Sequence, residues 1–291
     1  MRDRGPRAGR HRGSESAETF ADAFTALGRI AYAGAQVSAS AIDLNSGDAL
    51  LAIDDRVALP TAGVGKVLLL IEVSARLTES DSAGLGILEK ADADLVGHAG
   101  LWRHLEAPAL PLSDLATFVG ATGDNLATNA LLRHVGLDAV RLRAESLGLE
   151  RTALLDRVRD RRGPDDAPQL SVGSTDELSR LFAALSFGRV VDSATSRRTL
   201  GWLSLGSDLS LVASAFGLDP LSHRSADHGV QVVNITGTDA GVRAEAGLLY
   251  GPRTAVAYAV TARFDDADLA ARLRILDAFR TVGADLIEHV H

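Results

Sequence analysis

The sequence predicts an α/β (α+β) chain: a five-stranded antiparallel sheet flanked by terminal helices, with an all-helical subdomain inserted between strands 2 and 3. Two observations carry this. Near both ends of the chain, small or apolar residues alternate with polar ones, the period of a strand, while the long stretch between keeps the three-to-four spacing of helices. The order that results is helix, two strands, helical insertion, three strands, helix. Strands from the two chain ends can share a sheet only if the insertion leaves and returns at one edge. The expected organisation is a disordered tail over 1–15, a sheet subdomain from 16–60 and 223–291, and a helical subdomain over 61–222.

Taken in order, Met1 to Ser16 is polar and basic, with Arg2, Arg4, Arg7, Arg10 and Arg12 among Gly and Pro, the composition of a solvated tail. A secretory signal needs an apolar run of roughly 7 or more residues after its basic region. None follows, so a cytoplasmic location is expected. Ser16 to Gly28 sets Phe20, Phe24 and Leu27 at helical spacing, with Ser16 as cap and Gly28 as stop. Gln36 to Asp43 and Ala49 to Ile53 form a hairpin across the turn Asn45-Ser46-Gly47-Asp48. Helices are expected over Val64–Leu77, Leu112–Val119, Asn125–His134, Val140–Leu147 and Thr175–Leu185. Val230–Ile235, Ala244–Tyr250 and Thr254–Ala262 then read as strands, and Asp266–Val290 as a closing helix.

Composition removes several function classes. The 291 residues are 46% hydrophobic and 23% charged, as in a globular chain, and the net charge of -8 lacks the basic balance of a nucleic-acid binder. With no Cys there is no disulfide framework and no thiolate chemistry. The excess of Arg over Lys, with much Ala, Gly, Leu and Asp, suggests a high-GC bacterial, actinobacterial source. His223 with His228 and His289 with His291 lack a third ligand at metal spacing, so no metal is expected. No dinucleotide fingerprint, phosphate-binding loop, repeat or membrane-length apolar run occurs. No cofactor, nucleic acid or membrane partner is therefore expected, only a small-molecule ligand.

The chemistry-bearing stretch is Leu59-Pro60-Thr61-Ala62-Gly63-Val64-Gly65-Lys66-Val67-Leu68-Leu69-Leu70, a Gly-rich turn running into an apolar helix. Lys66 lies one turn after Gly63, on the same face. Gly123-Asp124-Asn125 and Ile235-Thr236-Gly237 follow in order. Together these resemble the S-x-x-K, S-D-N and K-T-G elements of class A β-lactamases and the wider penicillin-recognising serine hydrolases, including actinobacterial ones. The resemblance spans Ser16 to the C-terminus and implies the same fold. It also implies that Gly63 holds the nucleophile position, Gly123 that of the proton-shuttling hydroxyl, and Ile235 that of the cation for a substrate carboxylate. Only Lys66 survives of those four groups.

Lys66, Asp124 and Asn125 are the catalytic candidates. With no second cation at Ile235, and with Asp124 or Asn125 beside it, Lys66 should stay protonated and anchor an anion or donate a proton; retention merely to satisfy Asn125 and backbone carbonyls is the alternative, and Schiff-base chemistry a remote one. Asp124 and Asn125 should cap a helix, with Asn125 also facing the cleft. Thr236, Gly237 and Thr238 should offer a strand edge to an extended ligand. Trp102 is read as an aromatic wall of the pocket or as packing. Arg243 is read as a replacement carboxylate-binding cation or as the partner of Glu245 in an exposed ion pair. The loop from Asp156 to Pro164 places Arg159, or after a one-residue slip Asp160, where the resemblance expects a deacylating Glu. The functional expectation is a pseudoenzyme that has lost acyl-serine hydrolysis and binds a small acylated, peptide-like or lactam-like ligand. The alternative is a repurposed enzyme of specialised metabolism using Lys66, Asp124 and Asn125 for proton transfer, cyclisation or lyase chemistry.

Overall fold

A computed structural model describes residues 20–79 and 86–291. The tail expected over 1–15 and the Ser16 cap lie outside the described residues. The sheet is the expected one: β1 (Gln36–Asp43), β2 (Ala49–Ile53), β8 (Gln231–Asp239), β9 (Val242–Tyr250) and β10 (Ala255–Arg263), in the order β2-β1-β10-β9-β8. Every neighbouring pair is antiparallel, and the chain ends meet where β1 pairs β10 from Gln36 opposite Arg263 to Asp43 opposite Val256.

Alternation along these strands gives the sheet two buried faces. One bears Val37, Ala39, Ala41, Val256, Tyr258 and Val260 against α1 (Ala21–Tyr32) and α8 (Leu269–Val290). The other bears small residues, Ala244, Ala246, Ala257 and Ala259, which let helices approach closely. On this face, hydroxyl pairs join the sheet to the helix over Thr175–Ser186: Ser38 with Thr175 at 2.7 Å and Ser40 with Ser179 at 2.9 Å.

Between β2 and β8 run β3 (Leu59–Pro60), a 3₁₀ turn (Ala62–Gly65), α2 (Lys66–Glu79), β4 (Ile87–Glu89), β5 (Ala109–Pro111), α3 (Leu112–Thr122), α4 (Asn125–Val135), α5 (Leu137–Ser146), β6 (Ala153–Leu154), β7 (Ser171–Gly173), α6 (Thr175–Ser186) and α7 (Ser193–Leu203). Ten consecutive residues of α2, Lys66 to Ala75, are buried, which makes it the axis of the helical core.

Some elements differ from expectation. Gly28 sits within α1 rather than ending it; the chain turns at Gly34, whose φ of 100° needs glycine. Phe24 is 42% exposed, while Phe20 and Leu27 are buried as expected. The closing helix starts at Leu269 because Asp268 caps it, accepting from the Ala271 amide at 2.6 Å. The helix α7 and the short strands of the insertion were not expected. The buried face of α7 includes Thr195, Ser196 and Thr199, so hydrophobic periodicity does not reveal it.

Candidate active-site cleft

The turn before α2 is built to lie flat against β8. Thr61 exchanges a hydroxyl hydrogen bond with Ser171 at 2.7 Å, and Ser171 donates to the Ala62 carbonyl at 2.7 Å, fixing the turn on β7. Ala62 takes a positive φ of 47°, a conformation costly for a residue with a side chain. The turn then comes so near β8 that a Cβ at Gly63 would lie 2.7 Å from the Thr236 carbonyl oxygen. From the other side, a Cβ at Gly237 would collide with the Thr61 carbonyl and lie 2.9 Å from the Gly63 nitrogen. Backbone fills the space where a side chain at 63 would begin.

Lys66 opens α2 and is 3% exposed. Its Nζ donates to the Gly123 carbonyl at 2.6 Å and to Asn125 Oδ1 at 2.8 Å. Gly123 ends α3 in the left-handed region at φ 62°, which turns its carbonyl to Lys66. A Cβ there would lie 3.9 Å from the Lys66 Nζ, so this position does face the lysine. Burial pulls the Lys66 ammonium down to about 8, and the charge of Asp124 opposes the fall. Lys66 is thus still mainly protonated at neutral pH.

Asp124 is fully buried and caps α4, accepting from the Ala127 amide at 2.9 Å. Its other oxygen accepts from the Leu101 and Trp102 amides at 2.7 and 2.8 Å. This holds the 99–102 segment beside the cleft, where the Ala99 carbonyl accepts from the Asn125 amide at 3.1 Å. Asp124 reaches Lys66 through its field, with its oxygens committed to backbone amides, and does not line the cleft.

The cleft itself is a cavity of about 700 Å³ bounded by the end of α3, the β8 strand, the 158–162 loop and the Gly206–Asp208 segment. It brings together Gly63, Lys66, Gly123, Asn125, Ile235, Thr236 and Thr238 from the sequence-derived set. Gly237 lies between two of these on β8, pressed against the turn. Two ligand-binding expectations are corrected: for Trp102 the packing alternative holds, and for Arg243 neither alternative does. Trp102 is buried, with its indole N–H donating to the Ala107 carbonyl at 3.1 Å; Asp124 holds its backbone and the ring turns into the helical core, away from the cleft. Arg243 neither lines the cleft nor pairs with Glu245. Its guanidinium donates back to the Asp239 and Val242 carbonyls, at 2.8 and 2.7 Å, and lies 5.8 Å from the centre of the Phe264 ring.

The 156–166 loop is an ion-pair knot. Asp156 accepts from Arg159 and from Arg162, each at 2.8 Å, and Arg159 also meets Asp166 at 3.0 Å. Burial raises the Asp156 carboxyl, but its bonds to Arg159, the Arg157 amide and Arg162 outweigh that and hold it below the usual range. Arg159, Asp160 and Arg162 all line the cleft. Asp160 therefore does bring a carboxylate there, though its oxygens accept from the Gly97 amide at 2.7 and 3.0 Å. Asn129, not singled out in the sequence, joins the two walls: it donates to the Asp94 and Val158 carbonyls and accepts from the Val158 amide.

Sequence reasoning also missed Asp208, and it considered Glu245 only as an exposed partner of Arg243. Asp208 accepts from the Thr236 hydroxyl at 2.7 Å, and its carbonyl accepts from Asn234 Nδ2 at 3.1 Å. Glu245, 1% exposed in mid-β9, accepts from Asn234, Tyr258 and the Val212 and Ala213 amides. Burial pushes its carboxyl up to about 7 against those four donors. The signal was present: a lone carboxylate among apolar residues of a central strand must be buried with partners. Among the described residues no three His, Cys, Asp or Glu gather as a metal site, and no helix is long and apolar enough to cross a membrane.

A family model described as the β-lactamase enzyme family matches residues 19–290. Among solved structures, a β-lactamase from Sphaerobacter thermophilus aligns over 90% of this chain and 95% of its own, with a TM-score of 0.77 and 22% identity. PBP-A aligns over 92% and 96%, at TM-score 0.76 and 16% identity. A β-lactamase from Xanthomonas campestris pv. campestris aligns over 92% and 98%, at 0.76 and 15%. These likenesses show the fold. No curated protein matches the chain.

Proposed function

The chain belongs to the β-lactamase enzyme family, and we propose that within it this protein has given up acyl-serine hydrolysis and uses its cleft to bind a small acylated, peptide-like or lactam-like ligand. One observation carries the reading. Position 63, where the family resemblance places the nucleophile, has no side chain, and the Thr236 carbonyl occupies the space 2.7 Å from where a Cβ would stand. An acyl-enzyme on that residue has neither an atom to form on nor room to form in. The rest of the cleft keeps its polar groups: Lys66 presents a protonated amine held by neutral acceptors, and Asn125 and Thr236 border it. A buried donor of this kind suits a carbonyl or anionic oxygen of a ligand.

A second reading rests on the Lys66 amine, brought down to about 8 by burial. A group that exchanges its proton near neutral pH can serve as acid or base, which fits a non-hydrolytic proton-transfer, cyclisation or lyase reaction in specialised metabolism. Two experiments test these readings. Purified protein should neither open nitrocefin nor label with a fluorescent penicillin; a covalent adduct on any Ser or Thr would overturn the loss of acyl transfer. Thermal-shift measurements of wild type and Lys66→Met against acylated peptides, lactams and carboxylate metabolites should find ligands that stabilise only the wild type. Equal shifts in both proteins would move the binding site away from this cleft, and turnover of a bound compound would favour the second reading.

A further inference from the structure

Resting on the reading of the cleft as a ligand site, we propose that its ligand is cationic at one end: an acylated amine or peptide whose carbonyl meets Lys66 and whose ammonium or guanidinium is held by Asp208 and Asp239. The cleft has two poles of opposite sign. At the inner pole, Lys66 has three N–H donors and, among the described residues, two acceptors, the Gly123 carbonyl and Asn125 Oδ1. Both are neutral, and Asp124, the nearest carboxylate, has both oxygens on backbone amides. A nine-tenths buried ammonium facing a cavity with one donor to spare calls for an oxygen from a ligand.

At the β8 end, Asp208 and Asp239 both border the cavity and Ile235 supplies no charge. The one cation of β9 close enough to serve, Arg243, is folded back on the Asp239 and Val242 carbonyls. The two arginines that do line the cavity, Arg159 and Arg162, stand on the 156–166 loop and are matched by Asp156 and Asp166. Backbone amides reach all three remaining carboxylates, Gly97 both oxygens of Asp160, Ser210 one oxygen of Asp208 and Ala240 one oxygen of Asp239, but an amide does not cancel a charge. The inner pole is therefore positive and the outer one acidic, since among the described residues neither Asp208 nor Asp239 is in an ion pair and only the more distant field of Arg243 reaches Asp239. The Asp208 carboxylate is further oriented by the Thr236 hydroxyl, so it presents a fixed acceptor at the strand edge. A carboxylate-bearing ligand at that end is repelled by the Asp208 and Asp239 charges, whereas an ammonium is attracted by them at an exposed rim, a difference of about tenfold in affinity.

The test uses three amides of one shape: N-acetylputrescine, its carboxylate counterpart 5-acetamidopentanoate and its neutral counterpart N-pentylacetamide. Their binding to the full chain is measured at millimolar concentration by ligand-observed NMR, in wild type, Asp208→Asn/Asp239→Asn and Lys66→Met. Both positions are exposed, and each asparagine keeps one acceptor oxygen, for the Ser210 amide at 208 and the Ala240 amide at 239, while the Thr236 hydroxyl can turn to solvent; the melting temperature of the double variant checks that the fold is retained. The expected order in wild type is amine, then neutral, then carboxylate, with the amine about tenfold tighter than the neutral amide and its advantage shrinking as salt is added. The double variant should level the three, and Lys66→Met should weaken all of them together. Carboxylate binding equal to or better than amine binding, still dependent on Lys66, would overturn the cationic assignment and leave the cleft reading standing. Binding of none of the three, or binding unchanged by Lys66→Met, would overturn both.

Discussion

Titrating Glu245 should make the protein lose stability as pH rises through the range where most proteins are at their best. Its carboxyl has an ordinary value of 4.5 and stands at about 7 in the folded chain, because burial outweighs four hydrogen-bond donors. Between those two values the folded state keeps a proton that the unfolded chain has released. Unfolding therefore releases a proton, and raising the pH favours it; the stability is fully present below 4.5 and is lost by the time pH passes 7. At ~1.4 kcal/mol per pH unit the total is about 3 kcal/mol, a large share of a typical folding free energy. When Glu245 is protonated, the Tyr258 hydroxyl, now a donor to Oε1, can turn to accept. Urea unfolding at a series of pH values between 4.5 and 7.5, on wild type and Glu245→Gln, measures the effect. The glutamine presents an amide N–H₂ among donors, so its absolute stability is set by that mismatch, but its pH slope is not. Asp285, also raised by burial, contributes with the same sign in both proteins and drops out of the difference. Parallel pH profiles for the two proteins would refute the reasoning.

Other expectations are open to simpler assays. Lys66 and Lys90 are the only lysines, so lysine-selective NMR reads Lys66 almost alone, and its amine should titrate near 8; a midpoint near 10.5 would mean that the ammonium is not desolvated. Since the unfolded chain holds that proton more tightly, stability should climb by about 3 kcal/mol as pH rises from 8 to 10.5, opposite in sign to the Glu245 effect. Gly63→Ala should cost about 1 to 3 kcal/mol in urea unfolding, because its Cβ meets the Thr236 carbonyl, and an unchanged midpoint would show that the turn has slack. Gly63→Ser alone should give no nitrocefin turnover. Asp156→Asn should leave Arg159 only Asp166 and Arg162 only the Ala167 carbonyl and expose 157–167 to limited proteolysis, with a stability loss of about 1 to 3 kcal/mol; wild-type cleavage rates would argue that the remaining contacts hold the loop.

The sheet was legible because its strands obey period two on both faces, and because the hairpin and the three terminal strands have clear turn residues between them. The site's inner half was legible for a related reason: Lys66, Gly123 and Asn125 sit at helix ends, where a few local residues dictate geometry, and they meet as expected. What sequence could not show is set by tertiary placement. Asp208 belongs to a loop whose course past β8 no local pattern specifies. Trp102 was open to a wall role because a large aromatic in a Gly-rich loop gives no sign of which way it faces; the carboxylate that turns it inward lies 22 residues away. An exposed Arg243–Glu245 pair was one of two readings of Arg243, but both side chains are buried and each is held by other partners, Arg243 by the Asp239 and Val242 carbonyls and Glu245 by Asn234, Tyr258 and backbone amides. Burial decided the outcome, and burial is not written in two residues.

The contact between the turn at Gly63 and the strand at Thr236 and Gly237 also imposes an order on change. A hydroxyl introduced at 63 is a liability until β8 stands farther off, and β8 gains nothing from standing farther off until a hydroxyl is there. Adding Ser at 123, which must adopt φ 62°, and Lys at 235, where a buried Ile now packs, supplies the groups that the proposed reading takes as lost without relieving this deadlock. On the proposed reading, each single step toward acyl transfer is expected to lose stability before any step yields turnover, so the order of the changes matters more than their number. Designs or selections aimed at restoring hydrolysis should therefore begin with the backbone separation of the two segments, and introduce the nucleophile last.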